Sequence, residues 1–195
     1  FSILSKYDFE ELYISDINPE LINAYIVVRD NIDLLVEKLT EMQAIFLPMN
    51  ENGRKYFYYN AREKFNALQL SQETAVEKAA LFIFLNKTCF NGLYRVNSRG
   101  QFNSPIGRTS SGKTPDIVQE DLIREMSEYL KTVHFHCGDY REYLACAKAG
   151  DIIYLDPPYD QDESISTDGF VGYQKEGWTR ENLRELKRLC DELVF

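Results

Sequence analysis

Asp151-Ile-Ile-Tyr-Leu-Asp156-Pro-Pro-Tyr159 reads as a short apolar strand that ends in an acid, two prolines and an aromatic ring. The run from Asp151 to Leu155 has the length and apolarity of a buried strand in an α/β sheet. Ligands of open α/β sheets collect at the carboxyl ends of strands, which is where Asp156 falls. Pro157 and Pro158 remove two N–H donors and stiffen the turn. What remains is rich in acceptors: the Asp156 carboxylate and the Pro157 carbonyl, with the flat ring of Tyr159 alongside. Such a site suits a planar group bearing an NH2. The plainer alternative is a stiff strand-to-loop turn with no chemistry.

Moving outward, Thr132 to Cys137 is a second expected strand and Tyr140 to Ala149 a short helix. Glu11 to Ser15 is a third strand, ended by Asp16. Asn18-Pro19-Glu20 starts a helix, with an Asn cap, Pro in the first turn and an acid at the positive end. Leu21, Ile22, Tyr25 and Val28 continue it, and Asp30 to Met42 prolongs the helical pattern. Pro48 to Gly53 reads as a loop, followed by helices over Arg54 to Asn66 and Glu73 to Leu85. Ala79 to Leu85 is apolar almost all round and is expected to be buried. Leu93 to Asn97 and Gln101 to Asn103 flank Ser98-Arg99-Gly100, a hairpin signature. Pro115 opens a further helix with Ile117, Leu122, Met126 and Leu130 on its apolar face. Thr179 caps the last helix, which carries Leu183, Leu186, Leu189 and Leu193. Strands and helices therefore alternate at both ends, as in a parallel α/β sheet, and a helical block with a hairpin lies between like an inserted module.

The 195 residues are 44% hydrophobic, 13% aromatic and 27% charged, enough to bury a core, which excludes a disordered tail. No apolar run approaches the roughly 18–20 residues of a membrane span. Phe1 to Tyr25 carries acids throughout and does not read as a signal peptide, so a cytoplasmic setting is expected. Cys89, Cys137, Cys146 and Cys190 form no C-x-x-C pair and read as free thiols. His134 and His136 share one strand face without acids or thiols at ligand spacing, so no metal is expected. A net charge of −9 and a pI near 4.8, taken over the whole chain, argue against a nucleic-acid partner. The distribution argues otherwise. From Lys78 to Pro115 there are six basic residues and no acid, so that segment carries +6 and the remainder −15.

The strand followed by Asp156-Pro-Pro-Tyr159 resembles motif IV of amino-group DNA methyltransferases. The run Asn86-Lys-Thr-Cys-Phe-Asn-Gly-Leu-Tyr-Arg95, continuing through Val96 and Pro105 to Gly107, closely resembles the target-recognition segment of Dam-type DNA adenine methyltransferases. Tyr13-Ile-Ser-Asp16-Ile-Asn18 resembles that family's acidic strand-end motif. The order of the three matches the family's alpha class. The resemblance implies an incomplete Rossmann-like α/β methyltransferase sheet from residues 1–18 and 131–195, with a mostly helical target-recognition domain inserted over 19–130 and its hairpin near 93–103. It also implies methyl transfer from S-adenosylmethionine to N6 of a flipped adenine in double-stranded DNA, within GATC. The family includes both stand-alone regulators and partners of restriction enzymes.

Residue by residue, the resemblance gives Asp156, Pro157, Pro158 and Tyr159 the catalytic pocket. Asp156 and Pro157 would orient the adenine amine, Tyr159 would stack on the base, and Asp156 also borders the cofactor. Asp16 would accept the cofactor ribose hydroxyls and Ile17 would pack on its adenine, with Asp139 and Tyr140 at the same pocket. Asp139 capping the next helix is the plain alternative. On the DNA side, Arg95 would read guanine, and Leu93 and Pro105 would touch thymine methyls or neighbouring bases. Phe90 and Asn91 would brace the gap left by the flipped base, and Asn97 belongs to the same segment. Arg99 and Arg108 would clamp phosphates.

The family's Lys-containing Gly-rich segment and Phe-x-Gly-x-Gly turn do not occur before Asp16, and the chain stops at Phe195 ahead of the later strands. It therefore reads as an internal fragment, expected to bind the cofactor poorly and to be weakly active alone. The segment from Asp160 to Trp178 reads as a mobile loop over the target pocket. A non-catalytic DNA-binding module, and a methyltransferase acting on RNA or another amine, are the competing functional readings.

Overall fold

In the computed structural model the described residues are 9–107, 116–157 and 178–193. Leu12–Asp16 (β1) and Val133–Cys137 (β2) pair in parallel, with Asp16 opposite Cys137. Tyr13 and His134 face each other in this register and their rings stack at 5.0 Å. That contact accounts for one histidine of the Val-His-Phe-His-Cys run structurally. All four cysteines are free.

The chain leaves β1 through a local device. The Asn18 side chain accepts the Glu20 and Leu21 amides and starts α1 (Pro19–Asp30). Asn31, at φ −135° and ψ 37°, leaves the helical region, so α2 (Ile32–Phe46) is a separate helix. The expected loop through Gly53 is shorter than read. Asn50 accepts the Gly53 amide at 2.9 Å and α3 begins three residues earlier, spanning Glu51–Ala67. Capping by Asn50 outweighs the helix-breaking tendency of Gly53. Next come α4 (Ala75–Thr88), α5 (Glu120–Leu130), α6 (Tyr140–Leu144) and α7 (Arg180–Glu192). None of the described helices is long and apolar enough to cross a membrane.

Contacts divide the described residues into two compact units. One lies within 1–93 and 105–138, the other within 94–104 and 139–195. In the first, α4 packs on α1, α2 and α3, which explains why it is apolar nearly all round. Ala79, Ala80, Leu81, Phe84 and Leu85 are all buried. The Phe84 ring meets Phe46 and Phe57 edge-on at 5.2 and 5.5 Å. Gln43 Oε1 accepts the Ile117 amide at 2.8 Å and holds the stretch before α5 on the core. That stretch is not helical: α5 starts at Glu120, beyond the expected Pro115. Its buried face is Ile123, Ser127 and Leu130, and Leu122 is exposed. The one-residue offset arises because Ile117 is buried from the preceding loop, outside the helical period.

Lys78 lies inside this unit and not on a DNA-facing surface. Its ammonium donates to the Phe65 and Leu68 carbonyls at 2.7 and 2.9 Å and pairs with Glu20 at 3.5 Å. Burial pulls the Lys78 amine below the ordinary lysine range, and Glu20 partly restores it. The basic segment therefore starts at Lys87, and its net positive charge is one less than the sequence count suggests.

In the second unit, α7 carries a reciprocal cap: Thr179 accepts the Asn182 amide and Asn182 accepts the Thr179 amide. Of its apolar stripe, Leu186 is buried and Leu183 exposed. The α6 helix stops at Leu144, short of the expected Ala149. Residues 148–151 instead form a turn in which the Asp151 carboxylate accepts the Lys148 amide at 2.8 Å. The stretch from Asp151 to Leu155 is not a strand. Ile152 and Tyr154 are 81% and 78% exposed, and among the described residues the sheet contains only β1 and β2. A buried parallel strand exists only through hydrogen bonds to neighbours, and apolarity without a flanking ladder does not make one.

Candidate functional site

The target-side candidates lie in residues 88–107, whose two ends (the base) belong to the first unit and whose middle (the tip), a hairpin, belongs to the second. At the base, Gly107 N–H donates to the Thr88 carbonyl at 2.8 Å and Phe90 N–H to the Pro105 carbonyl at 2.9 Å. A bridge joins Cys89 to Ile106. A Cβ at residue 107 would stand 2.7 Å from the Cys89 carbonyl oxygen, so this closure requires glycine. Between the two sides of the base, Asn91 and Gly92 turn the chain with φ of 54° and 62°. Positive φ at Asn91 costs strain, which Asn tolerates better than most residues. The turn leaves the Phe90 ring half exposed, with Asn91 and Pro105 exposed as well. Cys89 beneath is buried, and burial pushes its thiol up.

At the tip, Asn97 N–H donates to the Gln101 carbonyl at 2.9 Å and Asn103 N–H to the Arg95 carbonyl at 2.8 Å. Val96 bridges Phe102. This is the expected hairpin, and Gly100 takes the left-handed corner at φ 77°. Alternation separates two faces. Val96 and Phe102 are buried, whereas Arg95, Asn97, Gln101 and Asn103 share the polar face. There Arg95 Nε–H donates to Asn103 Oδ1 at 2.9 Å, and Nη2–H to the Asn103 carbonyl at 3.4 Å. Asn97 is a turn staple: its Oδ1 accepts the Arg99 and Gln101 amides at 2.9 and 3.0 Å. Arg99 is exposed at the corner, and Leu93 is half-buried.

The cofactor-side candidates occupy strand and helix ends. Asp16 closes β1, half-buried, and its Oδ1 accepts the Asn18 amide at 2.7 Å. Ile17 beside it is 49% exposed. The strand end is anionic: burial, then Asp16 and Glu20, raise the Cys137 thiol. Burial, then Asp16, likewise raise the Tyr25 phenol. Asp139 caps α6 by accepting the Arg141 amide at 2.9 Å and pairs with Arg141. The Tyr140 ring packs on Trp178 at 5.7 Å. Asp156 is exposed and Pro157 half-buried. Pro158, Tyr159 and Arg108 lie outside the described residues, as does the expected mobile loop up to Trp178.

The structure therefore gathers Phe90, Asn91 and Pro105 at one pinned turn, and Arg95 and Asn97 on one hairpin face. Asp16 belongs to the first unit, and Asp139, Tyr140 and Asp156 to the second. Two residues were not singled out from sequence. Asn103 holds Arg95, and Cys137 is the register partner of Asp16. The hairpin register was the available signal for Asn103, because centring the turn on Arg99 sets residue 103 across from residue 95.

The model of the D12 class N6 adenine-specific DNA methyltransferases matches residues 1–194. The chain belongs to this family. A Type II methyltransferase, M.MjaIII, of Methanocaldococcus jannaschii is 42% identical over 90% of the chain and 58% of its own length. Type II methyltransferase M1.LlaDCHI of Lactococcus lactis subsp. cremoris is 37% identical over 94% and 61%. The DNA adenine methylase of Escherichia coli is 32% identical over 99% and 64%. The D12 chain thus spans about three-fifths of the length of these relatives. Its two-stranded parallel sheet, packed against α1, is compatible with part of a methyltransferase fold.

Proposed function

We propose that this D12 chain carries the target-reading and amine-orienting parts of an enzyme that methylates N6 of adenine in duplex DNA, at GATC. The observation that carries the reading is the loop of residues 88–107. Within it, the first unit holds a half-exposed aromatic ring at a strained turn, and the second holds an arginine on the polar face of a hairpin. That is the equipment needed to fill a vacated base position and to read a guanine edge in the major groove.

In this reading residues 19–130 recognise the target, and residues 1–18 with 131–195 belong to the catalytic domain. Phe90 and Asn91 brace the space left by the flipped adenine. Arg95 meets guanine O6 and N7, Leu93 and Pro105 make apolar contacts to bases, and Arg99 and Arg108 hold phosphates. Asn97 supports this surface by stapling the turn. The Asp156 carboxylate and Pro157 carbonyl accept hydrogen bonds from the adenine amine and point its nitrogen lone pair, with Tyr159 stacked on the base and Pro158 stiffening the turn. Orientation is the main contribution, since holding reactants in register replaces an unfavourable encounter.

The cofactor assignment is S-adenosylmethionine, which supplies an activated sulfonium methyl when bound. The residues present suit it. Asp16 is a half-buried carboxylate at the end of β1, a charge and an acceptor that match a cationic ligand with ribose hydroxyl donors. Ile17 offers an exposed apolar surface beside it; Asp139 and Tyr140, in the second unit, are the other residues assigned to the cofactor. The test measures methyl transfer from labelled S-adenosylmethionine to a GATC duplex by the full-length parent enzyme carrying Asp156→Ala. A loss of about 100-fold or more with duplex binding retained is expected. Transfer that survives the substitution sinks the assignment, and binding without any transfer in the unsubstituted protein favours a non-catalytic DNA-binding module.

A further inference from the structure

Arg95 does not extend alone from the hairpin. Antiparallel pairing through the Val96–Phe102 bridge and the Asn103-to-Arg95 backbone bond sets Asn103 directly across from Arg95. Directly opposed residues have Cβ atoms close enough for side-chain contact. Here the contact is double. Asn103 Oδ1 takes the Arg95 Nε–H at 2.9 Å, and the Asn103 carbonyl takes an Nη2–H at 3.4 Å. Both bonds fall on the Nε–Nη2 edge of the guanidinium. Two acceptors on one edge fix the plane of the fork as well as its distance from the strand. A long arginine side chain otherwise loses about 2 kcal/mol of rotamer freedom on docking, and preorganisation lowers that cost. Bidentate contact to guanine O6 and N7 needs two coplanar N–H groups at a set orientation, so fixing the guanidinium plane fixes how the fork is presented. The next cross-strand pair reinforces the arrangement, with Asn97 Nδ2 donating to Gln101 Oε1 at 3.2 Å and the Asn97 oxygen closing the turn.

We infer that Asn103 is a positioning residue for guanine recognition: it locks the Arg95 guanidinium plane so that the fork meets guanine edge-on. This rests on the proposal that Arg95 reads guanine. A competing role for Asn103 is a direct hydrogen bond to the DNA backbone, and the two roles separate experimentally. A positioning residue acts on discrimination between bases, whereas a phosphate contact acts equally on all sequences and on salt dependence.

The experiment measures affinity of the protein for a GATC duplex and for the same duplex with 7-deazaguanine at both guanines, across a salt series. The unsubstituted protein is expected to prefer guanine by about 10-fold or more, because the N7 acceptor is lost in the analogue. Asn103→Ala should collapse that preference to about 2-fold with the salt slope unchanged. Asn103→Asp, which keeps an acceptor for the same N–H, should retain the preference even if overall affinity falls. Adding Asn103→Ala to Arg95→Ala should change the preference no further. The inference is overturned if Asn103→Ala lowers affinity equally for both duplexes with a salt slope smaller by about one. It is also overturned if Asn103→Asp loses the preference as fully as Asn103→Ala. If the unsubstituted protein already shows no preference, the guanine reading of Arg95 fails before Asn103 is tested, and the inference falls with it.

Discussion

Replacing Lys78 by Met tests the internal wiring that holds α1, α3 and α4 together. The ammonium is almost fully buried, and it donates to two carbonyls at the end of α3, Phe65 and Leu68. Carbonyls in the last turn of a helix lack intrahelical partners and need an outside donor. Each hydrogen bond from a charged group contributes about 1.5–3 kcal/mol, and removing one member of a buried ion pair costs about 3–5 kcal/mol. Two features moderate the loss. The Glu20 side chain is 25% exposed, so water can solvate it once its partner is gone. Methionine also keeps an apolar stem against the Phe65 ring, over which the ammonium now sits at 4.1 Å. The net expectation is a loss of about 3 kcal/mol, at the low end of the range. Glu20→Gln, which leaves both carbonyl bonds in place, should cost about 1 kcal/mol. Urea unfolding followed by circular dichroism measures both. A pH series adds a sign. The folded-state pKa of Lys78 lies below that of the unfolded chain. Between the two values the unfolded chain holds more protons, so stability rises with pH just below the ordinary lysine range. That rise should vanish in Lys78→Met. A loss under 1 kcal/mol, or equal losses for the two variants, would refute the carbonyl-capping argument.

Gly107→Ala should open the base of the target loop, because its Cβ would meet the Cys89 carbonyl oxygen at 2.7 Å. Faster hydrogen exchange at the Phe90 amide and a destabilisation of about 2 kcal/mol are expected, and unchanged exchange would argue against the closure. Thr179→Ala removes one half of the reciprocal cap on α7 and should cost about 1 kcal/mol, read as reduced helix protection at Asn182 and Leu183.

The parts of the fold that were legible in the sequence are those decided within a few residues. Asn18-Pro19-Glu20 starts α1 as read, because cap, φ restraint and acid act inside one turn. The Ser98-Arg99-Gly100 hairpin formed because Gly100 adopts positive φ at no steric cost. The strand end at Asp16 was also legible, and so was the parallel sense of the β1–β2 pair. Burial of Lys78 was not legible, because a lysine in an apolar helix carries no mark of the carbonyls and carboxylate that receive it across α1 and α3. The start of α5 was misplaced since Ile117 is buried from outside the helix.

For the candidate site the division follows the same line. Residue types and order along the chain by themselves determined the motifs: Asp16 after a strand, Arg95 in a hairpin, and Asp156 ahead of two prolines. They also determined family membership, since a family is carried by sequence. Tertiary structure decided which side chains share work. It turned Asn97 inward to staple its own turn, set Asn103 across from Arg95, and gave Asp139 to the cap of α6. It also left the run from Asp151 to Leu155 exposed and outside the sheet, although its composition is that of a buried strand. The physical reason is common to all four. Composition states what a residue can bond or bury, but a hydrogen-bond partner or a flanking strand is supplied only by where the rest of the chain comes to lie.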